Sequence, residues 1–289
     1  MLRFLYRQFA RLPLPVAHAI GSALGILAWL VPSSFRRRAR FHIARCLPEL
    51  GFRAREWLLF RTMVESGKAL AELPFLFAGP EVRIVRALRE VRGREHFDRA
   101  VAAGKGIVAA SPHLGAWEMA GLVYSRLQSI VTMYRPQDEP WDTLIKEGRS
   151  RFGAEVVPTD RRGMRKLLEM LKRGGGVGVL PDQDPPTGSG VFAPFFGITA
   201  HSPVFASRLA RRTGATILYA FAERLSWGRG YVLHIEPAPP EATDEDEVRA
   251  VTAINRGVEA CVRQLPAQYY WAYMRFRRRP PGEPPFYPW

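Results

Sequence analysis

Cysteine is nearly absent from this 289-residue chain: Cys46 and Cys261 are the only two, far apart and outside any CxxC pair. That excludes a disulfide framework and a cysteine-built zinc site. Two unpaired thiols fit the reducing, cytoplasmic side of a membrane. Acidic residues are also short, 27 against 42 Lys and Arg, which leaves a net charge of +15. Lysine is scarce, so arginine carries nearly all of that excess, and a GC-rich genome would push in the same direction. The charge points to an anionic partner: nucleic acid, an acidic membrane face, a phosphorylated substrate or an acidic protein. No solenoid-type repeat is present. With 47% hydrophobic residues disorder is excluded, and the length suits one large domain or two small ones.

A second absence is local. From Leu12 to Phe35 no Asp, Glu, Lys or Arg occurs, while Arg3, Arg7 and Arg11 precede the run and Arg36 to Arg40 ("RRRAR") follow it. The basic cluster after the run, and the lack of an A-x-A site, argue against a cleaved signal peptide. The run is barely long enough to span a bilayer, and Pro13, Pro15, His18 and several glycines weaken it as a spanning helix. It is expected to be a membrane-embedded or monotopic anchoring helix, with arginines at the phosphate level and Trp29 at the interface. A buried core helix is the alternative. Residues 1–40 are accordingly assigned to the anchor and its basic flank, and 41–289 to the main domain.

Beyond the anchor, Glu56 to Phe77 has helical apolar spacing at Leu58, Leu59, Met63, Leu70 and Leu73. Strand-like and helix-like segments then alternate: "GIVAA", "MAGLVYSRL", "SIVT", "WDTLIKEGRSRFG", "AEVVPT", "RRGMRKLLEMLKRGGG", "GVGVL", "PVFASRLARRTG", "ATILYAFAE", "YVLHIEPA", and a last helix from about Glu245 to Leu265. Strands separated by helices of this length build βαβ units, so the fold class is α/β, a central and mostly parallel sheet flanked by helices. The apolar runs lack alternation, as strands covered on both faces do. The tail "RRRPPGEPPFYPW" is expected to lie extended on the surface, docked by Phe286, Tyr287 and Trp289.

In such a sheet, function collects in the loops at the carboxyl ends of the strands. Three polar loops fall there: "SPHLGAWE" (Ser111–Glu118), "MYRPQDEP" and "LPDQDPPTGSGVFAPFFG". His113 is suited to take a proton from a hydroxyl and return it, and a carboxylate on the far ring nitrogen would fix its tautomer. Glu118, on the first turn of a helix starting near Ala116, is placed to bend back to that ring. H-x4-E alone is a weak signal. His201 and His234 lack acidic partners at suggestive spacing and are read as structural. A metal on His113, Glu118 and Asp182 lacks a second histidine at ligand spacing, so neither metal nor cofactor is expected. No serine or cysteine sits in a nucleophile motif.

Taken together, these blocks resemble the lipid A biosynthesis late acyltransferases, the lauroyl and myristoyl transferases of Gram-negative bacteria. "HLGAWE" looks like their H-x4-[DE] motif, "MYRPQDEP" their YRP block and "LPDQDPPTGSGVFAPFFG" their PDQD block. "QYYWAYMRFRRRPPGEPPFY" is similar to their closing segment, and "RRRARFHIARCLPEL" to their basic segment after the anchor. The blocks follow the family order over most of the chain. The resemblance implies a glycerolipid-acyltransferase-like fold and an enzyme on the cytoplasmic face of the inner membrane. That enzyme would move a fatty acyl group from an acyl-carrier-protein thioester to a hydroxyl of a phosphorylated lipid A precursor. His113 would be the general base and Glu118 its orienting partner. The resemblance also carries over Arg149, for a substrate or donor phosphate, and Asp182, to orient Arg149 or a backbone loop. A solvated helix arginine and a turn-forming aspartate are the plain alternatives. Arg135 would aid phosphate or loop binding, or form a structural ion pair. "GVFAPFFG" is read as a loop lining the acyl groove, dipping into the membrane or packing in the core. Two departures, Ala116 where Asn is common and "AYMRF" for "HRRF", bear on acyl-chain or acceptor choice. Rival readings are acyl transfer to a glycerophospholipid, mannolipid or aryl-polyene lipid, and a non-enzymatic basic membrane-surface or nucleic-acid-binding protein. Positive charge lies beside the anchor, in helices and near the tail, which favours anionic lipid and an acidic carrier over nucleic acid.

Overall fold

The computed structural model describes residues 2–134 and 136–289. Five helices come first: α1 (Leu2–Phe9), α2 (Leu14–Leu30), α3 (Ser34–Cys46), α4 (Phe52–Ala78) and α5 (Glu81–Ala87). Pro13 and Pro15 open α2, where a missing N–H costs nothing. Ser33 caps α3 by accepting the Arg36 N–H at 3.2 Å.

The uncharged run forms α2, whose buried stripe, Leu14, Ala17, His18, Gly21 and Gly25, packs on α4. The two backbones meet: a Cβ on Gly67 of α4 would lie 2.1 Å from the Gly21 carbonyl oxygen. The other side of α2 shows Val16, Ile20, Leu24, Leu27 and Leu30 to the surroundings, and Leu70 of α4, which lines a cavity together with Leu24, is 64% exposed. Among the described residues no single helix is long and apolar enough to cross a membrane; α2 and α3 pass that test only as a pair bent by 84°. Trp29, expected at the interface, is half-buried at the end of α2. Its ring packs edge-on against Phe60 at 5.4 Å, under the Arg36 guanidinium.

The rest of the chain winds the sheet. In order come β1 (Leu88–Arg92), α6 (Arg94–Ala102), β2 (Ile107–Ala110), α7 (Trp117–Leu127), β3 (Ile130–Tyr134), α8 (Trp141–Ser150), β4 (Glu155–Pro158), α9 (Arg161–Lys172) and β5 (Gly176–Val179). β6 (Gly190–Phe195), β7 (Ile198–Pro203), α10 (Phe205–Thr213), β8 (Thr216–Arg224), β9 (Tyr231–Pro237) and α11 (Glu247–Gln264) complete it. The strand order is β1-β9-β8-β2-β5-β3-β4. All neighbours are parallel except β8 and β9, so the sheet is mostly parallel as expected. Helices α9, α10 and α11 cover one face through Leu167, Leu209 and Val258, with the first half of α4 joining that cluster through Leu59 and Met63. Helices α5, α6 and α7 cover the other through Ile84, Phe97 and Met119.

"GVFAPFFG" is a strand and turn rather than a loop. β6 pairs antiparallel with β7 through a two-residue turn, Phe196 and Gly197, at φ 50° and 72°. Such turns need positive φ at both positions, which glycine adopts freely and phenylalanine does not. Contacts hold Phe196 there: its N–H donates to Glu259 at 2.7 Å and its ring packs on Trp271. The tail docks: Tyr287 is buried, its hydroxyl bonded to His42 Nε2 at 2.7 Å and to the Phe276 N–H at 3.1 Å.

Candidate active site

"SPHLGAWE" leaves the carboxyl end of β2 and leads into α7. Its backbone is stitched to both neighbours. The Gly115 N–H donates to the Gln268 carbonyl at 3.0 Å, Ala116 N–H to Ala222 at 2.8 Å, and Tyr270 N–H to the His113 carbonyl at 3.0 Å. Gly115 has φ 63°, and a Cβ there would come within 2.1 Å of the Ala222 oxygen, so the turn needs glycine.

This loop brings His113 to Asp182, which follows β5. His113 Nδ1 lies 2.8 Å from Asp182 Oδ1, and the His113 backbone N–H donates to Oδ2 at 2.9 Å. The Gln183 amide nitrogen sits 3.1 Å from His113 Nε2. A donor at Nε2 and a carboxylate at Nδ1 together assign the neutral tautomer with its proton on Nδ1 and a basic lone pair on Nε2. Burial works against a charged imidazole, but the Asp182 charge and hydrogen bond outweigh it and raise His113 above its ordinary range. Burial likewise disfavours the Asp182 carboxylate, and the His113 contacts hold its pKa below the usual value.

The expected His113–Glu118 contact is not made. Glu118 instead holds Arg149 of α8 in a two-bond pair, Nε to Oε2 at 2.9 Å and Nη2 to Oε1 at 2.5 Å. The Trp117 indole N–H also donates to Glu118 at 3.2 Å. Asp182 therefore bonds the His113 ring and, as one of its two expected roles had it, the loop backbone through the His113 N–H, while Arg149 is held by Glu118. Glu118 lies on the first turn of α7 within reach of Arg149 on α8, while Asp182 follows β5, the strand paired with β2 from which the His113 loop departs. Arg135 lies outside the described residues. His201 and His234 do have acidic partners, Asp184 at 2.8 Å and Glu223 at 2.9 Å, which distance along the chain concealed. Among the described residues no three His, Cys, Asp or Glu side chains come together as a metal-ligand group.

Two cavities adjoin the site, and Trp117 walls both. The smaller, about 280 Å³, is mostly apolar and reaches Gly121 of α7, Thr132 and Met133 of β3, and Phe205 of α10, with Glu118 and Arg149 at its polar part. The larger, about 620 Å³, holds His113 and Gln183 and is walled by Leu24 and Gly25 of α2 and Met63 and Leu70 of α4. It therefore runs from the imidazole towards the exposed apolar side of α2.

Behind the loop lies a buried charge network that sequence reading missed. Arg224 at the end of β8 donates to Glu72 at 2.8 and 2.5 Å, to Glu65 at 3.0 Å and to the Gly115 carbonyl at 3.2 Å. His18 of α2 and the Tyr231 hydroxyl complete Glu72 at 3.0 and 2.9 Å. Burial alone would raise the Glu72 carboxyl, yet Arg224 and His18 hold it down at about 2. The available signal was polarity out of place: one histidine in an uncharged run, one glutamate amid "ALAELPFLF", and an arginine closing an apolar strand.

Comparison with known proteins bears on the chemistry. The model of the bacterial lipid A biosynthesis acyltransferase family matches residues 2–278. The chain is 30% identical over 282 residues to the lipid A biosynthesis lauroyltransferase of Escherichia coli K12, covering 96% of this chain and 90% of that one. It is 29% identical over 283 residues to the palmitoleoyltransferase of the same organism, with the same 96% and 90% coverage. A phosphatidylinositol mannoside acyltransferase of Mycobacterium tuberculosis is 32% identical over 157 residues, 52% of this chain and 48% of that one.

Proposed function

Because the chain belongs to the bacterial lipid A biosynthesis acyltransferase family, we propose that it carries out a late, secondary acylation of a lipid A precursor. The donor is an acyl-carrier-protein thioester, the acceptor a hydroxyl of the phosphorylated glycolipid, and the place the cytoplasmic face of the inner membrane. The observation that carries the mechanism is the Asp182–His113 pair, whose Nε2 meets Gln183 in the larger cavity, with the smaller cavity across Trp117.

In this reading the acyl chain lies in the smaller cavity and the acceptor reaches His113 through the larger one, from the lipid side of α2. Gln183 yields its place at Nε2 to the acceptor hydroxyl. His113 Nε2 takes the hydroxyl proton as the oxygen attacks the thioester carbonyl. Asp182 stabilises the imidazolium and keeps its orientation. When the tetrahedral intermediate collapses, the C–S bond breaks and the imidazolium returns the proton to the departing thiolate. Arg149, fixed by Glu118, offers positive charge at the polar part of the acyl cavity, suited to a donor or acceptor phosphate. The exposed apolar side of α2 and the arginines that follow it suit an in-plane seat in an anionic bilayer.

Mass spectrometry of lipid A from cells with and without the gene tests this directly. A difference of one acyl group supports the reading and gives the chain length; identical lipid A rejects it. The partial match to the mannoside acyltransferase supports a second reading, acyl transfer to a mannolipid, which would appear as an acyl difference in that lipid instead.

A further inference from the structure

The exposed face of α9 carries charge that no part of the protein uses. Arg161, Arg162, Arg165, Lys172 and, just beyond the helix, Arg173 are exposed, as is Arg212 at the end of the adjacent α10. Among the described residues none of the six has a carboxylate partner, whereas nearby Lys166 and Arg208 are paired with Glu155 and Glu247. Glu169 is the one exposed acid within α9. None of the residues of this face lines the smaller cavity, but the helix starts at the carboxyl rim of the sheet, on the side of the cavity wall formed by Met133 and Phe205. α9 begins at the carboxyl end of β4 and returns into β5, whose Val179 and the following Leu180 line that cavity. β4, from which α9 departs, pairs directly with β3, whose Thr132 and Met133 line the cavity. Met133 and Phe205, also on the cavity wall, pack into the same apolar cluster as Leu167 and Leu171 of α9.

From this we infer that the α9 face, with Arg212 beside it, docks the acidic carrier protein that delivers the acyl chain to the smaller cavity. The inference rests on the donor assigned above. The alternative occupant, an anionic bilayer, is disfavoured by composition. A membrane-seated face exposes large apolar side chains among its cations, as α2 does, and neither α9 nor α10 exposes any. A purely cationic face on a helix that starts at that rim suits instead a folded acidic protein, held by complementary charge while its arm reaches inward.

The test is the full-length triple variant Arg161→Glu/Arg162→Glu/Arg165→Glu, assayed beside wild type. Donors are a dodecanoyl-loaded acyl-carrier protein and dodecanoyl-coenzyme A, which presents the same thioester arm without the protein. The variant should raise KM for the carrier by roughly tenfold or more at low salt, a gap that closes as salt screens the wild-type attraction. Its kcat at saturating carrier, its kinetics with the coenzyme A donor and its sedimentation with anionic vesicles should match wild type. An unchanged carrier KM, or equal loss with both donors, overturns the inference, and loss of vesicle sedimentation assigns the face to lipid. A wild-type enzyme that uses only the coenzyme A donor overturns the donor assignment itself, a different failure.

Discussion

Replacing Asp182 with asparagine separates the two candidate roles at this site. The carboxylate accepts two hydrogen bonds from one residue: the His113 ring at Oδ1, 2.8 Å, and the His113 backbone N–H at Oδ2, 2.9 Å. Asparagine has one acceptor and one donor at the same two places. If its oxygen keeps the ring N–H, its NH2 faces the backbone N–H. If it keeps the backbone, the ring must move its proton to Nε2, and the basic lone pair is gone. One charge-assisted bond contributes about 1.5–3 kcal/mol. Asparagine keeps one of the two as a neutral bond and loses the other, so the cost is at least about 1.5–3 kcal/mol, or roughly 10–10² in kcat at 1.36 kcal/mol per tenfold. The pH profile adds a sign. A general base acts unprotonated, and Asp182 raises the His113 pKa above the ordinary value, so under the proposed mechanism wild-type kcat/KM should rise with pH through an apparent pKa above 6.5. In Asp182→Asn that limb should move to lower pH while the plateau falls. Steady-state acyl transfer across pH, with the lipid product read by mass spectrometry, measures both. A variant within threefold of wild type, with its acid limb unmoved, would refute Asp182 as the orienting group.

The companion variant Glu118→Gln frees Arg149 from its carboxylate and should raise KM more than it lowers kcat, leaving the acid limb in place; a shifted limb would return Glu118 to the histidine. Gly121→Leu puts a side chain where a Cβ meets open space on the wall of the smaller cavity. Each methylene displaced from that cavity costs about 0.8 kcal/mol, roughly fourfold in preference, so product profiles should shift to shorter chains; an unaltered distribution would remove the acyl chain from that cavity. Glu72→Gln leaves Arg224 buried with half its charge partner gone, and should destabilise the fold by about 3–5 kcal/mol, lowering the thermal midpoint by roughly 10 °C. With the folded carboxyl at about 2, below its unfolded value of 4.5, the Glu72 contribution is present above pH 4.5 and is lost as pH falls towards 2. A variant and wild type that converge in stability at low pH, and diverge near neutrality, would bear this out.

The sheet was legible because its strands are short apolar runs bounded by glycine and the helices between them repeat at 3.6, patterns that burial alone dictates. The hairpin of β6 and β7 escaped because Phe196 occupies a positive-φ position that sequence rules reserve for glycine or asparagine, and only tertiary contacts with Glu259 and Trp271 make it tenable. His113 was found from its place at a strand end. The carboxylate bonded to its ring is Asp182 rather than the Glu118 of the same motif. Glu118 is five residues away in sequence and Asp182 sixty-nine, yet the adjacency of β2 and β5 makes the second the neighbour in space. The Asp184–His201 and Glu223–His234 pairs were missed for the same reason: pairing across elements leaves no fixed interval in the chain.

The buried network gives the N-terminal helices a direct bearing on the catalytic loop. Arg224 and Glu72 are almost fully buried, and such a pair rarely adds stability over well-packed apolar side chains, because desolvation offsets the attraction. Here it satisfies a group that apolar replacements could not. The Gly115 carbonyl, turned inward by a left-handed glycine, has Arg224 Nη2 as its donor, and an unpaired buried carbonyl costs about 1–3 kcal/mol. Arg224 in turn is aimed by two carboxylates of α4, and the nearer one is completed by His18 of α2. A shift of α2 along α4 is opposed by the glycine contact at the crossing and would disturb the His18–Glu72 bond. The geometry of the turn beside His113 therefore depends on the seating of the very helix that walls the larger cavity, so displacing that helix disturbs the cavity and the His113 loop together.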